Sequence, residues 1–182
     1  KSTLRAVFLL GREGGGSTIT QQLALNLFNE RATNPVKRVI QKLKEWIIAV
    51  KLERNFTKEE IIALYLNAVP FGDNVYGIRS ASRTFFQKEP DRLTVEESAM
   101  LIGMLKANNL YNPRRNPKLA LDRRNVVINQ MAKNNKITEA EAERLKRIPI
   151  KLNYRKMDEN TGYAPYFREI LKEEVRELLK GA

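Results

Sequence analysis

The chain of 182 residues contains neither cysteine nor histidine. The absence of cysteine excludes disulfide bonds and thiol chemistry, and it leaves the redox compartment open. The absence of histidine removes the most common general base and metal ligand, so acid–base chemistry falls to carboxylates, tyrosine or lysine. No apolar run approaches the roughly 20 residues that a membrane-spanning helix needs, and nothing resembles a signal peptide. The chain opens at Lys1 in the middle of a pattern, which leads us to expect further sequence upstream.

The charge balance is strongly positive. Thirty-three lysines and arginines against 21 acidic residues give a formal net charge of +12. Hydrophobic residues make up 42% and charged residues 30%, which suits one globular domain with its own core. A positive surplus of this size indicates an anionic partner, which could be nucleic acid, an acidic membrane surface or a phosphorylated ligand.

Residues 14–28, GGGSTITQQLALNLF, combine a glycine-rich turn with a helix start. Thr18 and Gln21 have the spacing of a capping box, which predicts a helix that begins at Ser17 or Thr18. Three large apolar residues then form its predicted buried face: Leu23, Leu27 and Phe28. The glycines allow close approach to the backbone, and the helix start presents N–H groups and a positive dipole end to an anion such as phosphate. A capped surface helix after a flexible loop is the alternative interpretation.

A long second helix is predicted to open at Asn34-Pro35 and to end near Arg54. Its apolar residues recur at helical spacing and form a stripe: Val36, Val39, Ile40, Leu43, Ile47 and Val50. Polar residues three, four and seven apart form a neighbouring face: Arg38, Gln41, Lys42 and Glu45. Such a charged stripe is usually a solvated face. A single acid among a surplus of cations is also suited to holding a pyrophosphate beside an assisting carboxylate.

The remaining pattern is also helical, and the expected fold class is all-α. Further helix starts are predicted at Thr57, Thr94, Asn116-Pro117 and Thr138. Residues 148–162 are expected to be extended, and residues 164–180 form a last amphipathic helix. At the other end, residues 1–12 are amphipathic with a basic rim, a form that can lie on an anionic membrane. A terminal helix packed on the core explains the same pattern equally well.

The sequence of residues 15–24, GGSTITQQLA, closely resembles a signature of the peptidoglycan glycosyltransferases. This family is the family 51 glycosyltransferase domain of class A penicillin-binding proteins. Four later stretches are similar to the family's other motifs in the same order: residues 41–53, 58–67, 72–88 and 111–125. The resemblance implies a helical, lysozyme-like head with a small membrane-associated jaw that contains residues 1–12. It implies a glycosyltransferase domain over residues 1–147. Residues 148–182 would then be an extension or a linker toward a possible transpeptidase domain.

The resemblance implies a reaction in which lipid II, a lipid-linked disaccharide pentapeptide, is polymerised into glycan strands. The 4-hydroxyl of the acceptor sugar attacks the anomeric carbon of the growing chain, and undecaprenyl pyrophosphate leaves with inversion. The family's general base is a glutamate in the motif Glu-Asp-x-x-Phe-x-x-His-x-Gly, which precedes the glycine-rich signature. This motif does not occur in the 182 residues, and the lack of histidine agrees with its loss. We therefore expect the segment by itself to be inactive.

By the same resemblance, Glu45 corresponds to the family's second essential glutamate, which helps to orient the pyrophosphate directly or through a divalent Mg²⁺ or Mn²⁺ ion. No other cofactor is expected. The implied substrate-site residues are Gly16, Ser17, Thr18, Gln21, Gln22, Asn26, Arg38, Gln41, Lys42, Arg123 and Arg124. Three positions differ from the family's usual residue, since Leu25 replaces a lysine, Gln41 an arginine and Ala63 a glutamate. Arg38, one turn before Gln41, is a candidate to replace a lost cation.

Two other functions are compatible with parts of the sequence. A basic helical nucleic-acid-binding module agrees with the charge, but the basic residues are scattered over several helices. A lysozyme-like muramidase needs two carboxylates across the glycosidic bond, and Glu45 with Glu53 or Glu60 cannot be placed as such a pair. The order of the motifs favours the glycosyltransferase. The implied partners are then lipid II, the nascent glycan strand and an anionic membrane surface, on the extracytoplasmic face of the bacterial plasma membrane, without nucleic acid.

Overall fold

A computed structural model describes residues 18–28, 34–156, 170–171 and 173–177. Seven α-helices lie in these residues: α1 (Ile19–Phe28), α2 (Pro35–Asn55), α3 (Lys58–Ala68), α4 (Ile78–Phe86), α5 (Val95–Met104), α6 (Pro117–Lys133) and α7 (Glu139–Lys146). The described part of residues 170–177 is helical as well. The all-α class is confirmed, since the described ranges contain no strand and only an isolated bridge between Pro70 and Tyr76. No helix in them is long and apolar enough to cross a membrane.

The helix starts follow the capping signals in the sequence. The Thr18 hydroxyl accepts a hydrogen bond from the Gln21 N–H at 3.2 Å, and the Gln21 side chain accepts one from the Thr18 N–H at 3.3 Å. Asn34 caps α2, and Thr94 and Thr138 cap α5 and α7 with their side-chain oxygens. These bonds satisfy backbone donors that a helix leaves without an internal partner. The predicted helix starts are confirmed, with Thr18 as the cap and Ile19 as the first residue of α1.

The chain divides into two compact units, residues 1–65 with 175–182 and residues 66–174. In the first unit, α1 packs against α2. The buried apolar side chains of these helices and of the first part of α3 are Leu23, Ala24, Leu27, Ala49, Leu52, Ile61 and Tyr65. The predicted burial of Leu23 and Leu27 is confirmed. The side chain of Phe28, the glycine-rich turn and the predicted jaw segment of residues 1–12 lie outside the described residues.

The side of α2 that is buried is not the side that carries its apolar stripe. Six large apolar side chains along it are between 50% and 68% exposed: Val36, Val39, Ile40, Leu43, Trp46 and Ile47. The buried residues are Glu45, Ala49 and Leu52, which follow one another at four and three positions. Leu43 and Ile47 each lie two residues from Glu45, which places them about 200° around the helix from it. The stripe therefore faces away from the side on which α2 packs.

The second unit has its core between α5, α6 and α7. Five buried side chains form one cluster: Ala99, Ile128, Ala132, Ala142 and Leu145. Ile148, just after α7, packs against this cluster and is half-buried. Residues 149–156 then run without regular secondary structure, as predicted. The Asn153 and Arg155 N–H groups donate to the carbonyl oxygens of Phe85 and Thr84, at 3.0 and 2.9 Å. The assignment of residues 148–182 to an extension or linker stays a prediction.

Asp73 connects three loops of the second unit. Its side chain is 5% exposed, and its carboxylate accepts hydrogen bonds from Asn112, Arg114 and Arg115 at 3.2, 3.2 and 2.6 Å and from Tyr154 at 3.4 Å. Burial alone would raise the pKa of Asp73, but the hydrogen bonds from Arg114, Asn112 and Arg115 outweigh it and hold the pKa below its ordinary value. The stabilisation is therefore present at neutral pH and is lost as the pH falls through the folded-state pKa.

Candidate active site

Glu45 lies in the middle of α2 and is only 4% exposed. One carboxylate oxygen accepts a hydrogen bond from Nε2 of Gln41 at 2.9 Å, and the other accepts one from Nζ of Lys42 at 2.5 Å. Both partners come from the preceding turn of the same helix, where side chains three and four residues apart meet. The interpretation of Glu45 as part of a solvated charged stripe is wrong, because its side chain is buried.

The burial of Glu45 determines how this group behaves. A carboxylate removed from water is costly unless it is hydrogen-bonded and paired with a cation. Lys42 supplies that cation, and its side chain is 37% exposed against 5% for Glu45. An ammonium group carries three donors, and the bond to Glu45 uses one of them. The pair thus holds an ammonium group with two further donors at a fixed position at the protein surface, where they can bind an anion. Arg38, one turn earlier on α2, is exposed.

The start of α1 lies further along α2. The hydroxyl of Thr20, which is 6% exposed, donates to Oε1 of Glu53 at 2.8 Å, so the start of α1 lies beside Glu53. Glu53 and Glu45 are eight residues apart, or about 12 Å along the helix axis. The capping pair of Thr18 and Gln21 therefore forms a second group, separate from the cluster around Glu45. That both groups line one cleft stays a prediction.

Gln22 and Asn26 occupy the middle of α1. Gln22 is exposed, and its side-chain oxygen accepts a hydrogen bond from the hydroxyl of Tyr65 at 3.2 Å. Asn26 and Leu25 are half-buried. Tyr65 is 7% exposed, and burial raises its pKa. Sequence reasoning identified Tyr65 as a core candidate but not as a neighbour of Gln22, because the contact joins residues 43 positions apart.

Arg123 and Arg124 belong to the second unit. Arg124 is 1% exposed, and its guanidinium donates to the backbone oxygens of Lys146 and Ile148 at 3.0 and 2.7 Å, where α7 ends. Burial lowers the pKa of Arg124. The guanidinium of Arg123 lies over the ring of Tyr111, with 5.9 Å to the ring centroid. The contacts of Arg124 are those of a structural residue, and substrate binding by either arginine stays a prediction. Gly16 and Ser17 lie outside the described residues.

The described residues show no acidic cluster for a divalent metal ion at Glu45. They contain no group of three or more acidic, histidine or cysteine side chains that could hold one. Both oxygens of Glu45 already accept hydrogen bonds, one of them from an ammonium group, which repels a metal cation. The Mg²⁺ or Mn²⁺ ion implied by the resemblance stays a prediction, and Lys42 supplies the described positive charge.

Replacement of Lys42 by methionine tests whether it compensates the charge of Glu45. We expect Lys42→Met to lower the free energy of unfolding by about 1–3 kcal/mol, because it leaves a buried carboxylate without its cation. The double variant Lys42→Met/Glu45→Gln should recover most of this loss in urea denaturation. Lys37→Met, at an exposed position of the same helix, is the matched control and should change stability by less than about 0.5 kcal/mol. Equal losses at positions 42 and 37 would contradict the assignment.

Comparisons with known proteins match the part of the chain that contains these residues. The model of a family described as Transglycosylase matches residues 1–132. Penicillin-binding protein 1A of Escherichia coli is 37% identical over 161 residues, which cover 88% of this chain and 18% of the relative. Penicillin-binding protein 1F of Bacillus subtilis is 36% identical over 173 residues, which cover 95% of this chain and 24% of the relative. The chain thus spans less than a quarter of the length of these curated relatives.

A solved structure of penicillin-binding protein 1A from Haemophilus influenzae is 27% identical, with a TM-score of 0.48 over 87% of this chain and 20% of its own. The family match includes the glycine-rich signature, α1 and the Gln41–Lys42–Glu45 cluster of α2. It also extends through most of α6. Because the match covers well over half of the 182 residues, the chain belongs to the transglycosylase family.

Proposed function

We propose that this chain is a peptidoglycan glycosyltransferase domain, which polymerises lipid II into glycan strands for the bacterial cell wall and releases undecaprenyl pyrophosphate. The observation that carries this proposal is the buried Glu45 carboxylate, which holds the ammonium group of Lys42 at the protein surface. It occurs in a chain that belongs to the transglycosylase family. The net charge of +12 fits an anionic substrate.

The chemistry needs one proton acceptor and one site for negative charge. The oxygen of the acceptor's 4-hydroxyl bonds to the anomeric carbon of the donor while the bond from that carbon to the pyrophosphate breaks, with inversion. The hydroxyl proton passes to a general base, and the bond's electron pair leaves with the pyrophosphate. Fixed cations stabilise such a developing charge because they need no reorganisation during the reaction. In this proposal Lys42 and Arg38 bind the pyrophosphate, Gln41 adjoins it, and Glu45 orients Lys42 rather than acting as the base.

The residues of α1 and of the turn before it contact the remainder of the substrate in this proposal. Thr18 and Gln21 hold the helix start in its capped form, and Gln22 is exposed on the same helix. Free N–H groups at a helix start favour an anionic or hydroxyl-rich ligand. Gly16 and Ser17 precede this start in sequence, and Asn26 follows one turn after Gln22.

The general base is proposed to come from the family motif that these 182 residues do not contain. Purified protein of residues 1–182 should then give no glycan product from labelled lipid II, whereas the same chain with the upstream motif should polymerise it. In that longer protein, we expect Glu45→Gln and Lys42→Met each to reduce kcat/KM by about 100-fold or more, since both remove leaving-group stabilisation. Gel analysis of product length measures the outcome.

Lys37→Met is the control variant for this assay and should retain activity, because Lys37 is an exposed lysine on the same helix. Polymerisation by residues 1–182 alone would contradict the assignment of the base. Glycan shortening would favour a muramidase. A muramidase needs two carboxylates across the glycosidic bond, and the positions of Glu45 and Glu53 are about 12 Å apart along the axis of α2.

We also propose that the exposed stripe of α2 lies on an anionic membrane surface, at the extracytoplasmic face of the plasma membrane. Its large apolar side chains are at least half exposed, and the exposed Lys44 lies next to Leu43 on the same helix. Apolar side chains with basic neighbours are typical of helices that lie in a membrane interface. A location at the membrane also places the domain where a lipid-linked substrate is held.

Vesicle binding tests this surface. We expect the double variant Leu43→Ser/Ile47→Ser to co-sediment with phosphatidylglycerol vesicles about tenfold more weakly than the unaltered chain, because apolar burial drives insertion. Leu119→Ser is the matched control, since Leu119 is 42% exposed on α6 in the other unit, and its binding should not change. Equal binding by the double variant and the unaltered chain would exclude the stripe as the contact surface.

A further inference from the structure

A hydrogen bond between two side chains joins α3 to the exposed side of α1. The hydroxyl of Tyr65 donates to Oε1 of Gln22 at 3.2 Å. Tyr65 is 7% exposed, whereas Gln22 is exposed to solvent. A buried ring is held by the side chains packed around it, so its hydroxyl occupies a fixed position. The more mobile glutamine is therefore the partner that this bond restrains.

The direction of the bond determines which end of the Gln22 amide faces outward. The carbonyl oxygen is bound to Tyr65, and in the part of the chain that the structure describes Nε2 makes no hydrogen bond. Burial raises the pKa of Tyr65, so the hydroxyl keeps its proton and remains a donor at neutral pH. With the Gln22 oxygen bound to this donor, the amide is held in the orientation that leaves Nε2 unbound. Gln22 therefore presents the two N–H donors of Nε2 to a ligand.

Restraint of this side chain also lowers the entropic cost of binding. A free glutamine loses the freedom of its side-chain torsions when it orders against a ligand. Buried neighbours on both sides hold α1 itself in place, since Thr20 is bonded to Glu53 and Leu23 is 0% exposed. Together with Tyr65 they define both the position and the orientation of the amide before any ligand arrives, which is the general requirement for a preorganised site.

We infer that Tyr65 is a positioning residue, which holds the Gln22 amide so that Nε2 donates to an acceptor oxygen of the lipid-linked substrate. This inference rests on the proposed function, since Gln22 is a substrate-site residue only there. Tyr65 itself touches no substrate in this account. Its effect on the reaction passes entirely through Gln22, and that distinguishes it from a residue that only stabilises the fold.

The first test uses residues 1–182 without substrate and reports on Gln22 alone. Nitrogen-15 relaxation of the Gln22 side-chain amide should show a restrained group in the unaltered chain and a mobile one in Tyr65→Phe, which keeps the ring and removes the hydroxyl. Tyr154→Phe is the matched control, because it removes a hydroxyl that is bonded to Asp73 in the other unit. Equal amide mobility in Tyr65→Phe and the unaltered chain would overturn the inference, whether or not the chain is an enzyme.

The second test measures lipid II polymerisation by the chain with its upstream motif. Tyr65→Phe should raise KM about three- to tenfold, the effect of one hydrogen bond, and leave kcat within about twofold. The same change should have no further effect on KM in a Gln22→Ala background, and Tyr154→Phe should lower the melting temperature without changing KM. An unchanged KM in Tyr65→Phe, or an equal rise in the Gln22→Ala background, would refute positioning. Absence of polymerisation by the unaltered longer chain would instead refute the proposed function.

Discussion

The arrangement of side chains on α2 depends on how one buried carboxylate is compensated. Glu45 is enclosed on α2, and its two oxygens are bound by Gln41 and Lys42 from the turn before it. A buried ionised group without such partners costs several kcal/mol. The lysine therefore stabilises the acid, and the acid in turn holds the lysine in place. The result is an oriented positive charge at the surface. A leaving pyrophosphate needs such a charge in position before the bond breaks.

In the proposed function, the two sides of α2 contact different parts of the substrate and its surroundings. Glu45, Ala49 and Leu52 lie on the side that packs in the first unit, whereas Leu43 and Ile47 lie on the opposite side and are exposed. A lipid-linked sugar has the same division, since a charged diphosphate joins an apolar chain to a polar disaccharide. A helix with a cation on one side and an apolar stripe on another is suited to a substrate of this kind.

Local signals in the sequence were sufficient for the secondary structure. The capping residues Thr18, Asn34 and Thr94 each start the helix that they predict, because a cap depends on atoms within three residues. Burial depends on what packs against a helix, so periodicity identified the stripe of α2 but not its exposure. The same limit applies to Arg124, whose bonds to the end of α7 no local pattern indicated.

Contacts between distant positions could not be predicted either. The bonds from Thr20 to Glu53 and from Tyr65 to Gln22 join different helices, and no single-sequence pattern indicates them. The most direct test of the central claim is a structure determined with undecaprenyl pyrophosphate or a shorter lipid pyrophosphate bound. We predict phosphate oxygens within about 3.2 Å of Nζ of Lys42, with Glu45 still buried behind it. A diphosphate bound away from α2, with the Lys42 ammonium directed only at Glu45, would contradict the account.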